Sequence, residues 1–250
     1  MNTTYKFETE EAALERISQM APEKRVQFEK FTEEIQQIAP EQTHSPKQLL
    51  RVFTVAKGDI ASSIKVWKAF HEIWKEANAG GSMEEVFAEL DTGKWALGGF
   101  DKEGRRIIHF IAKYHDPSQF SMYVSFKTQM IISDLLLDNA ESQAKGALFV
   151  VWLEGTGWAN FNLEAQKYYT KKTEMMGEAA SDMMHRCLLI DSPWYIRWVM
   201  ALIRPFMPKE LQEKNHTLTS AQLHEQYPET DIKDIQALKD EIRSRSSFWF

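Results

Sequence analysis

The first eighty residues place apolar side chains at helical spacing. Apolar positions recur every three to four residues in four successive runs, which predicts four amphipathic helices. Each run begins at a residue suited to a helix N-terminus, namely Thr9, Pro22, Ser45 and Asp59. The segment Ala79-Gly80-Gly81-Ser82 then interrupts the pattern. We therefore predict an N-terminal helical module over residues 1–79.

Beyond this break, strand patterns alternate with helical ones. Four strands are predicted, over residues 95–100, 106–111, 147–153 and 187–190. The last two are continuous apolar runs, which are typical of strands covered on both faces. Because helical segments separate the strands, the pattern predicts an α/β fold in which helices cover a mostly parallel sheet. We assign residues 82–230 to this domain and residues 231–250 to a C-terminal helix and tail.

Composition narrows the possible classes of protein. Thirty basic residues against 36 acidic ones give a net charge of −6, which disfavours nucleic acid as a partner because nucleic-acid binders need a positive surface. The single cysteine, Cys187, excludes an internal disulfide. The N-terminus lacks the apolar core of a signal peptide, and no apolar run reaches the roughly 18 residues that span a bilayer. We therefore expect a soluble, cytoplasmic protein.

One predicted helix is unusually apolar. It covers residues 193–205 and is apolar nearly all round, apart from Arg197 and Arg204. A helix of this composition is either buried in a core or in contact with lipid, and it is too short to cross a bilayer. Two interpretations therefore stay open: a core helix, or a movable gate over an apolar cavity whose arginines contact lipid phosphates. The side chains that would then enter the membrane interface are Trp194, Trp198 and Phe206.

Four motifs in the correct order resemble the CRAL-TRIO lipid-binding domain. Leu49-Leu50-Arg51 is similar to part of the N-terminal helical module of that family, and Asp101-Lys102-Glu103-Gly104-Arg105 is similar to its turn before the second strand. The signature of strand and gate helix is matched by Leu189-Ile190-Asp191-Ser192-Pro193-Trp194 and by Ile203-Arg204-Pro205-Phe206-Met207. Together with Ala112-Lys113-Tyr114-His115, the turn looks most like the module of motile-sperm-domain-containing tether proteins.

The resemblance covers residues 47–225 and implies a deep apolar pocket, floored by the sheet and closed by the gate helix. This pocket would hold one lipid or lipophilic small molecule as a ligand, with no other cofactor. Contacts to a lipid headgroup or to the membrane are expected at Arg197, Arg204, Lys214 and Asp182. Ala56 and Leu211 replace a basic residue and a threonine of the phosphatidylinositol-binding members, which disfavours an inositol headgroup. Other phospholipids, fatty acids, isoprenoids and carotenoid-like molecules stay open as ligands.

The alternation along the strands predicts which side chains line the pocket, and a shift of one residue would move each prediction to the other face. The expected floor is Leu97, Ile107, His109, Ile111, Phe149, Val151 and Leu189. The expected wall is Tyr114, Phe120, Tyr123, Phe126 and Met130. The expected gate contacts are Trp194, Trp198, Leu202 and Phe206. Each of these residues also has a plain structural interpretation as part of the core.

No sequence motif indicates catalysis or a metal centre. His109 and His115 flank the second predicted strand without metal-ligand spacing, and there is no Gly-x-Ser-x-Gly turn for a hydrolase nucleophile. We therefore expect no enzyme and no metal site, but a lipid carrier or sensor that associates peripherally and transiently with membranes. The alternative is a protein-interaction module, in which the N-terminal helices bind a protein partner and any bound lipid is structural.

Overall fold

A computed structural model of the chain describes residues 8–176, 178–231 and 233–244, apart from the side chains of residues 173, 178, 180, 206 and 231. It contains the four predicted N-terminal helices, α1 Glu10–Ser18, α2 Pro22–Ile38, α3 Pro46–Val55 and α4 Ile60–Ala79. The side chains of Thr9, Ser45 and Asp59 accept hydrogen bonds from the first turns of α1, α3 and α4. These bonds satisfy backbone donors that have no partner within the helix.

The N-terminal helices enclose an aromatic core. The ring of Phe53 on α3 lies 5.3 Å from the ring of Phe28 and 5.9 Å from the ring of Phe31, both on α2. Leu137 and Ala179, which come from the chain beyond residue 82, belong to the same apolar cluster. The helical module therefore packs directly against the rest of the protein.

A five-stranded sheet forms the centre of the remaining chain. Its strands are β1 Trp95–Phe100, β2 Arg106–Ile111, β3 Ala147–Trp152, β4 Met184–Ile190 and β5 Asn215–Leu218, in that spatial order. β1 is antiparallel to β2, whereas the other neighbouring strands are parallel. The predicted α/β class with a mostly parallel sheet is confirmed. β5 was not predicted, because only one of its four residues is apolar and its sequence therefore contains no alternation of apolar and polar residues.

Nine further helices surround this sheet within the described ranges. They are α5 Met83–Asp91, α6 Met122–Leu136, α7 Ala140–Lys145, α8 Leu163–Glu174, α9 Glu178–Asp182, α10 Ile196–Ile203, α11 Lys209–Glu213, α12 Ser220–Gln226 and α13 Ile235–Ser244. The predicted gate helix is α10, shorter than expected at both ends. The predicted C-terminal helix is α13, although Ile232 and residues 245–250 lie outside the described residues. α5 was not predicted, even though Ser82 and Glu85 form a capping box at its start.

The two faces of the sheet are covered differently. Side chains at alternate strand positions, including Ile107, Val150 and Leu188, pack with Leu223 of α12 on one face. The helices α6, α8 and α10 lie on the other face. α6 connects β2 to β3, α8 connects β3 to β4 and α10 connects β4 to β5, so the chain always moves across the sheet in the same direction. Right-handed crossovers of this kind place their helices on one side. A cavity remains open between these helices and the sheet.

Candidate functional site

The cavity between the sheet and the helices α8 and α10 has a volume of about 390 Å³. Apolar side chains from three parallel strands form its floor, namely Ile108, Phe110, Phe149, Val151, Cys187 and Leu189. The inner face of α10 covers it with Ile196, Val199, Met200 and Ile203. Helix α8 closes the side with Leu163, Ala165, Gln166, Tyr169 and Thr170. The volume falls within the range of about 300–1,000 Å³ that is usual for small-molecule sites.

Strand register explains why the floor is apolar throughout. Ile108 pairs with Phe149, and Phe149 pairs in turn with Cys187 on β4. Residues paired across neighbouring strands point to the same face, so three strands present one continuous apolar surface. The thiol of Cys187 belongs to this surface, and burial raises its pKa to about 12. It is therefore an inert part of the floor and not a nucleophile.

Helix α10 carries apolar side chains on its outer surface as well. Trp194 just before the helix is 74% exposed, and Trp198 and Leu202 are 58% and 51% exposed. Trp158 is 58% exposed, and its ring lies 5.4 Å from that of Tyr195 beside α10. Leu163 at the start of α8 is also exposed and borders the same groove as Leu202. We call Trp158, Leu163, Trp194, Trp198 and Leu202 the outer apolar surface.

One end of the cavity is polar. We call Glu89, Lys94, His115 and Ser125 the polar corner. Because β1 is antiparallel to β2, Lys94 just before β1 meets the segment that follows β2. The Lys94 ammonium lies 2.6 Å from Oε1 of Glu89 and 3.1 Å from Nδ1 of His115. The hydroxyl of Ser125 on α6 donates to the same Glu89 oxygen. Lys94, His115 and Ser125 line the cavity, while Glu89 is fully buried behind them.

Burial and neighbouring charges set the protonation of the residues in and around this corner. Burial, followed by the nearby Lys94 ammonium, lowers the pKa of His115 to about 4, so its imidazole is neutral at physiological pH. Burial, followed by the negative charge of Glu89, raises the pKa of Tyr169 above its ordinary value. Lys94 and Glu89 are therefore the two charged groups of the polar corner.

Three of the predicted floor residues lie on the cavity, and four lie elsewhere. Phe149, Val151 and Leu189 line the cavity as expected. Ile107 and His109 point to the opposite face, and the indole of Trp152 donates to His109 there. Because side chains alternate along a strand, the assignment on β2 was displaced by one residue from Ile108 and Phe110. The other two predicted floor residues, Leu97 and Ile111, do not line the cavity. Leu97 is buried among helices α5, α6 and α13.

None of the five predicted wall residues lines the cavity. Tyr114 and Tyr123 are exposed, and Phe120 is half-buried with its ring near the Lys94 ammonium. Phe126 and Met130 pack in a cluster with α4. The α6 side chains on the cavity are instead Ser125 and Gln129, which share one face because they are four residues apart. No sequence signal marks this face, because α6 also carries other polar residues, such as Lys127 and Ser133.

Three of the four predicted gate residues face outward. Trp194, Trp198 and Leu202 belong to the outer apolar surface and are not in the cavity lining. Trp198 and Leu202 directly precede the inward residues Val199 and Ile203, and a rotation of 100° per residue turns them away from the cavity. The side chain of Phe206 lies outside the described part of the chain.

The predicted headgroup and membrane contacts fall into two places. Arg197 and Arg204 are exposed on the α10 segment. Lys214 and Asp182 lie close to each other, and Asp182 forms an ion pair of 2.8 Å with Lys57. Burial lowers the pKa of Lys214, and its ammonium donates to the carbonyl of Ser181. This second cluster is held by contacts within the protein.

A second cleft of about 570 Å³ lies beside the N-terminal helices. Its lining includes Lys47 and Arg51, which form ion pairs with Asp138 and Asp134. Such a charged lining would not shelter an alkyl chain, because the charges would lose contact with water. We therefore place the candidate site in the smaller, apolar cavity.

Groups of three or more histidine, cysteine, aspartate or glutamate side chains that could hold a metal ion are absent from the described part of the chain. Within the same residues, every helix is too short or too polar to cross a bilayer.

Comparison with known proteins identifies relatives. The model of the CRAL/TRIO domain matches residues 90–235. Tyrosine-protein phosphatase non-receptor type 9 of Mus musculus and of Homo sapiens is 21% identical over 217 residues, which is 84% of this chain and 36% of the phosphatase. Clavesin-2 of Homo sapiens is 21% identical over 123 residues, covering 47% of this chain and 36% of clavesin-2. The crystal structure of Sfh5 matches with a TM-score of 0.47 and 9% identity, over 77% of this chain and 72% of that one. The chain thus spans 36% of the length of these curated relatives.

Proposed function

We propose that this chain, which belongs to the CRAL/TRIO family of lipid-binding domains, holds one lipophilic molecule beneath α10 and exchanges it with membranes. Domains of this family bind lipophilic ligands and are not enzymes. The phosphatase relative is similar through its CRAL/TRIO part, so the similarity carries no phosphatase activity to this chain. The observation that carries the proposal is the apolar cavity between the sheet and α10.

The cavity can supply the free energy that a lipid carrier needs. Removing an alkyl chain from water contributes about 0.8 kcal/mol per CH₂ group, so a chain of about 16 carbons contributes on the order of 12 kcal/mol. The floor and the inner face of α10 are apolar, so they can replace water around such a chain without leaving polar groups unpaired. A ligand held this strongly would leave slowly into water, and release therefore needs an opening in an apolar environment.

The outer apolar surface suits contact with a membrane. Tryptophan is favoured at the membrane interface because its ring is apolar and its indole N–H remains polar. Arg197 and Arg204 are exposed on the same segment and can approach lipid phosphates. The eight residues of α10 extend only about 12 Å, against about 30 Å for the apolar core of a bilayer, so the helix would lie in the interface.

Membrane contact would also lower the cost of opening the cavity. Undocking α10 exposes Ile196 and Val199, each of which contributes about 1.5–3 kcal/mol when buried. In water this cost of about 3–6 kcal/mol keeps the helix closed. In the interface the same side chains contact lipid, and the exposed tryptophans no longer face water. We infer peripheral membrane association from this arrangement.

Two measurements test the proposal. Mass spectrometry of an organic extract from the purified protein should find a lipophilic molecule in stoichiometric amount. Transfer of labelled lipid between vesicles should slow at least fivefold in Leu202→Asp, because a charge enters the outer apolar surface. Leu14→Asp is a matched control, since Leu14 on α1 is 52% exposed and Leu202 is 51% exposed. An empty protein with no transfer activity, or equal effects of the two variants, would contradict the proposal.

A second role, binding of a protein partner, is favoured by exposed apolar side chains on the N-terminal helices. Leu14 on α1 and Val26 and Ile38 on α2 are all exposed. If these helices recruit a partner, its capture should depend on residues 1–45 and should be indifferent to Leu202→Asp. Loss of capture in Leu202→Asp would instead assign the interaction to the lipid site.

A further inference from the structure

The polar corner is placed where the headgroup of a bound lipid would lie. Lys94, His115 and Ser125 border the cavity at one end, beside the apolar floor that β2, β3 and β4 form. The carboxylate of Glu89 holds the corner together, because its Oε1 accepts from both Lys94 and Ser125. Its Oε2 is buried as well and accepts no hydrogen bond from the described part of the chain.

The charges of this corner cancel. Lys94 contributes one positive charge and Glu89 one negative charge, and both side chains are almost completely buried. His115 is neutral at physiological pH, because its pKa lies near 4. Asp116, the other carboxylate beside His115, is exposed to solvent and accepts hydrogen bonds from Ser118. The protein therefore offers a ligand hydrogen-bonding groups at this end, but no unbalanced positive charge.

Charge balance determines which headgroup can enter. A carboxylate or phosphate placed here would lose its water and would meet an ammonium that Glu89 already neutralises, which makes burial of the anion costly. A hydroxyl carries no such cost, because it can accept from Lys94 or from the amide nitrogen of Gln129, or donate to the amide oxygen of Gln129.

We propose that the polar corner binds the uncharged hydroxyl of a lipid alcohol and discriminates against lipids with an anionic headgroup. This inference rests on the proposed function, because it assigns the headgroup end of the same cavity. The volume of about 390 Å³ lies toward the small end of the usual range for ligand sites. It therefore fits a ligand with a single chain better than a phospholipid with two.

The test compares an alcohol with the acid of the same chain length. Binding of 1-dodecanol and of dodecanoate is measured at pH 7.5 by displacement of 1-aminoanthracene, an uncharged fluorescent probe. The wild-type protein should bind the alcohol at least tenfold more tightly than the acid. Glu89→Gln leaves Lys94 unbalanced without changing the side-chain shape, so the ratio of alcohol to acid affinity should fall at least tenfold. Glu84→Gln, an exposed position on the same helix, should leave this ratio unchanged.

Other outcomes separate the inference from the proposed function. Acid binding as tight as alcohol binding in the wild type, or an unchanged ratio in Glu89→Gln, would overturn the inference and leave a lipid-binding cavity. Binding of neither ligand, with no lipid in an extract of the protein, would overturn the proposed function itself. If Glu89→Gln fails to fold, Gln129→Glu replaces it, since Gln129 lies one turn from Ser125 on the cavity wall. In Gln129→Glu the affinity for dodecanoate should fall at least tenfold and the affinity for 1-dodecanol less than threefold. An unchanged affinity for dodecanoate would place the headgroup elsewhere and overturn the inference.

Discussion

The buried ion pair of the polar corner leads to a stability prediction that can be worked from the structure. In Lys94→Met the carboxylate of Glu89 stays buried and, among the described residues, keeps only the hydroxyl of Ser125 as a donor. Breaking a buried pair by removing one partner costs about 3–5 kcal/mol, because an uncompensated charge remains. For a chain of this size, the melting temperature falls about 2–4 °C per kcal/mol, so we expect a loss on the order of 10 °C.

Equilibrium denaturation in urea, followed by tryptophan fluorescence and by circular dichroism, measures this change. The double variant Lys94→Met/Glu89→Leu removes both charges, and replacing a buried pair by apolar residues is often close to neutral. We therefore expect it to recover most of the loss, to within about 2 kcal/mol of the wild type. Lys145→Met is the matched control, because Lys145 pairs with Glu141 at the surface and both side chains are 48% exposed. Its cost should stay below about 1 kcal/mol.

Two results would refute this reasoning. A cost below about 1 kcal/mol for Lys94→Met would mean that the Glu89 carboxylate reaches water or another partner in the folded protein. A double variant no more stable than the single one would mean that Lys94 stabilises the fold through its packing and not through its charge.

Three further predictions concern individual residues. The pKa of His115 in the folded protein lies near 4, below its ordinary value of 6.5. The unfolded state therefore takes up the proton at a higher pH than the folded state does. As a result, the free energy of unfolding should fall by about 2 kcal/mol from pH 6.5 to pH 4. His115→Asn should remove that slope, and an identical slope in the variant would show that another group causes it. The thiol of Cys187 should resist a disulfide reagent at pH 8 until denaturant is added, because burial raises its pKa to about 12; rapid reaction of the native protein would contradict this. Gly146→Ala should cost at least about 2 kcal/mol in urea denaturation, because φ is +77° and an added Cβ would lie 2.5 Å from the backbone nitrogen of His185. Gly155→Ala, at φ +72° with its nearest neighbouring atom 3.6 Å away, should cost less, and equal costs would exclude the steric contact as the cause.

Local signals account for the parts of the fold that could be predicted from the sequence. A cap such as Ser45 with its partner Gln48 lies within one turn, so the start of α3 is visible without any tertiary information. Continuous apolar runs likewise revealed β3 and the second half of β4, whereas Met184, His185 and Arg186 at the start of β4 were not predicted. The short polar strand β5 has no such signal, because its position depends on pairing with β4 and not on its own residues.

The orientation of side chains within an element required the tertiary structure. Both Ile108 and His109 fit a strand pattern, and only the pairing of β2 with β3 decides which one faces the cavity. The same holds for α10, which is apolar apart from Arg197, so its periodicity alone does not separate the inward Val199 from the outward Trp198.

The sequence by itself determined that this chain is an α/β protein with an unusually apolar helix after its fourth strand, since spacing and capping act between near neighbours. Only the tertiary structure assembled the polar corner from α5, the residue before β1, the segment after β2 and α6. Glu89 and Lys94 are five residues apart, but Ser125 reaches the same carboxylate from 36 residues away. A contact of that kind is created when packing brings distant segments together, so no local pattern can encode it.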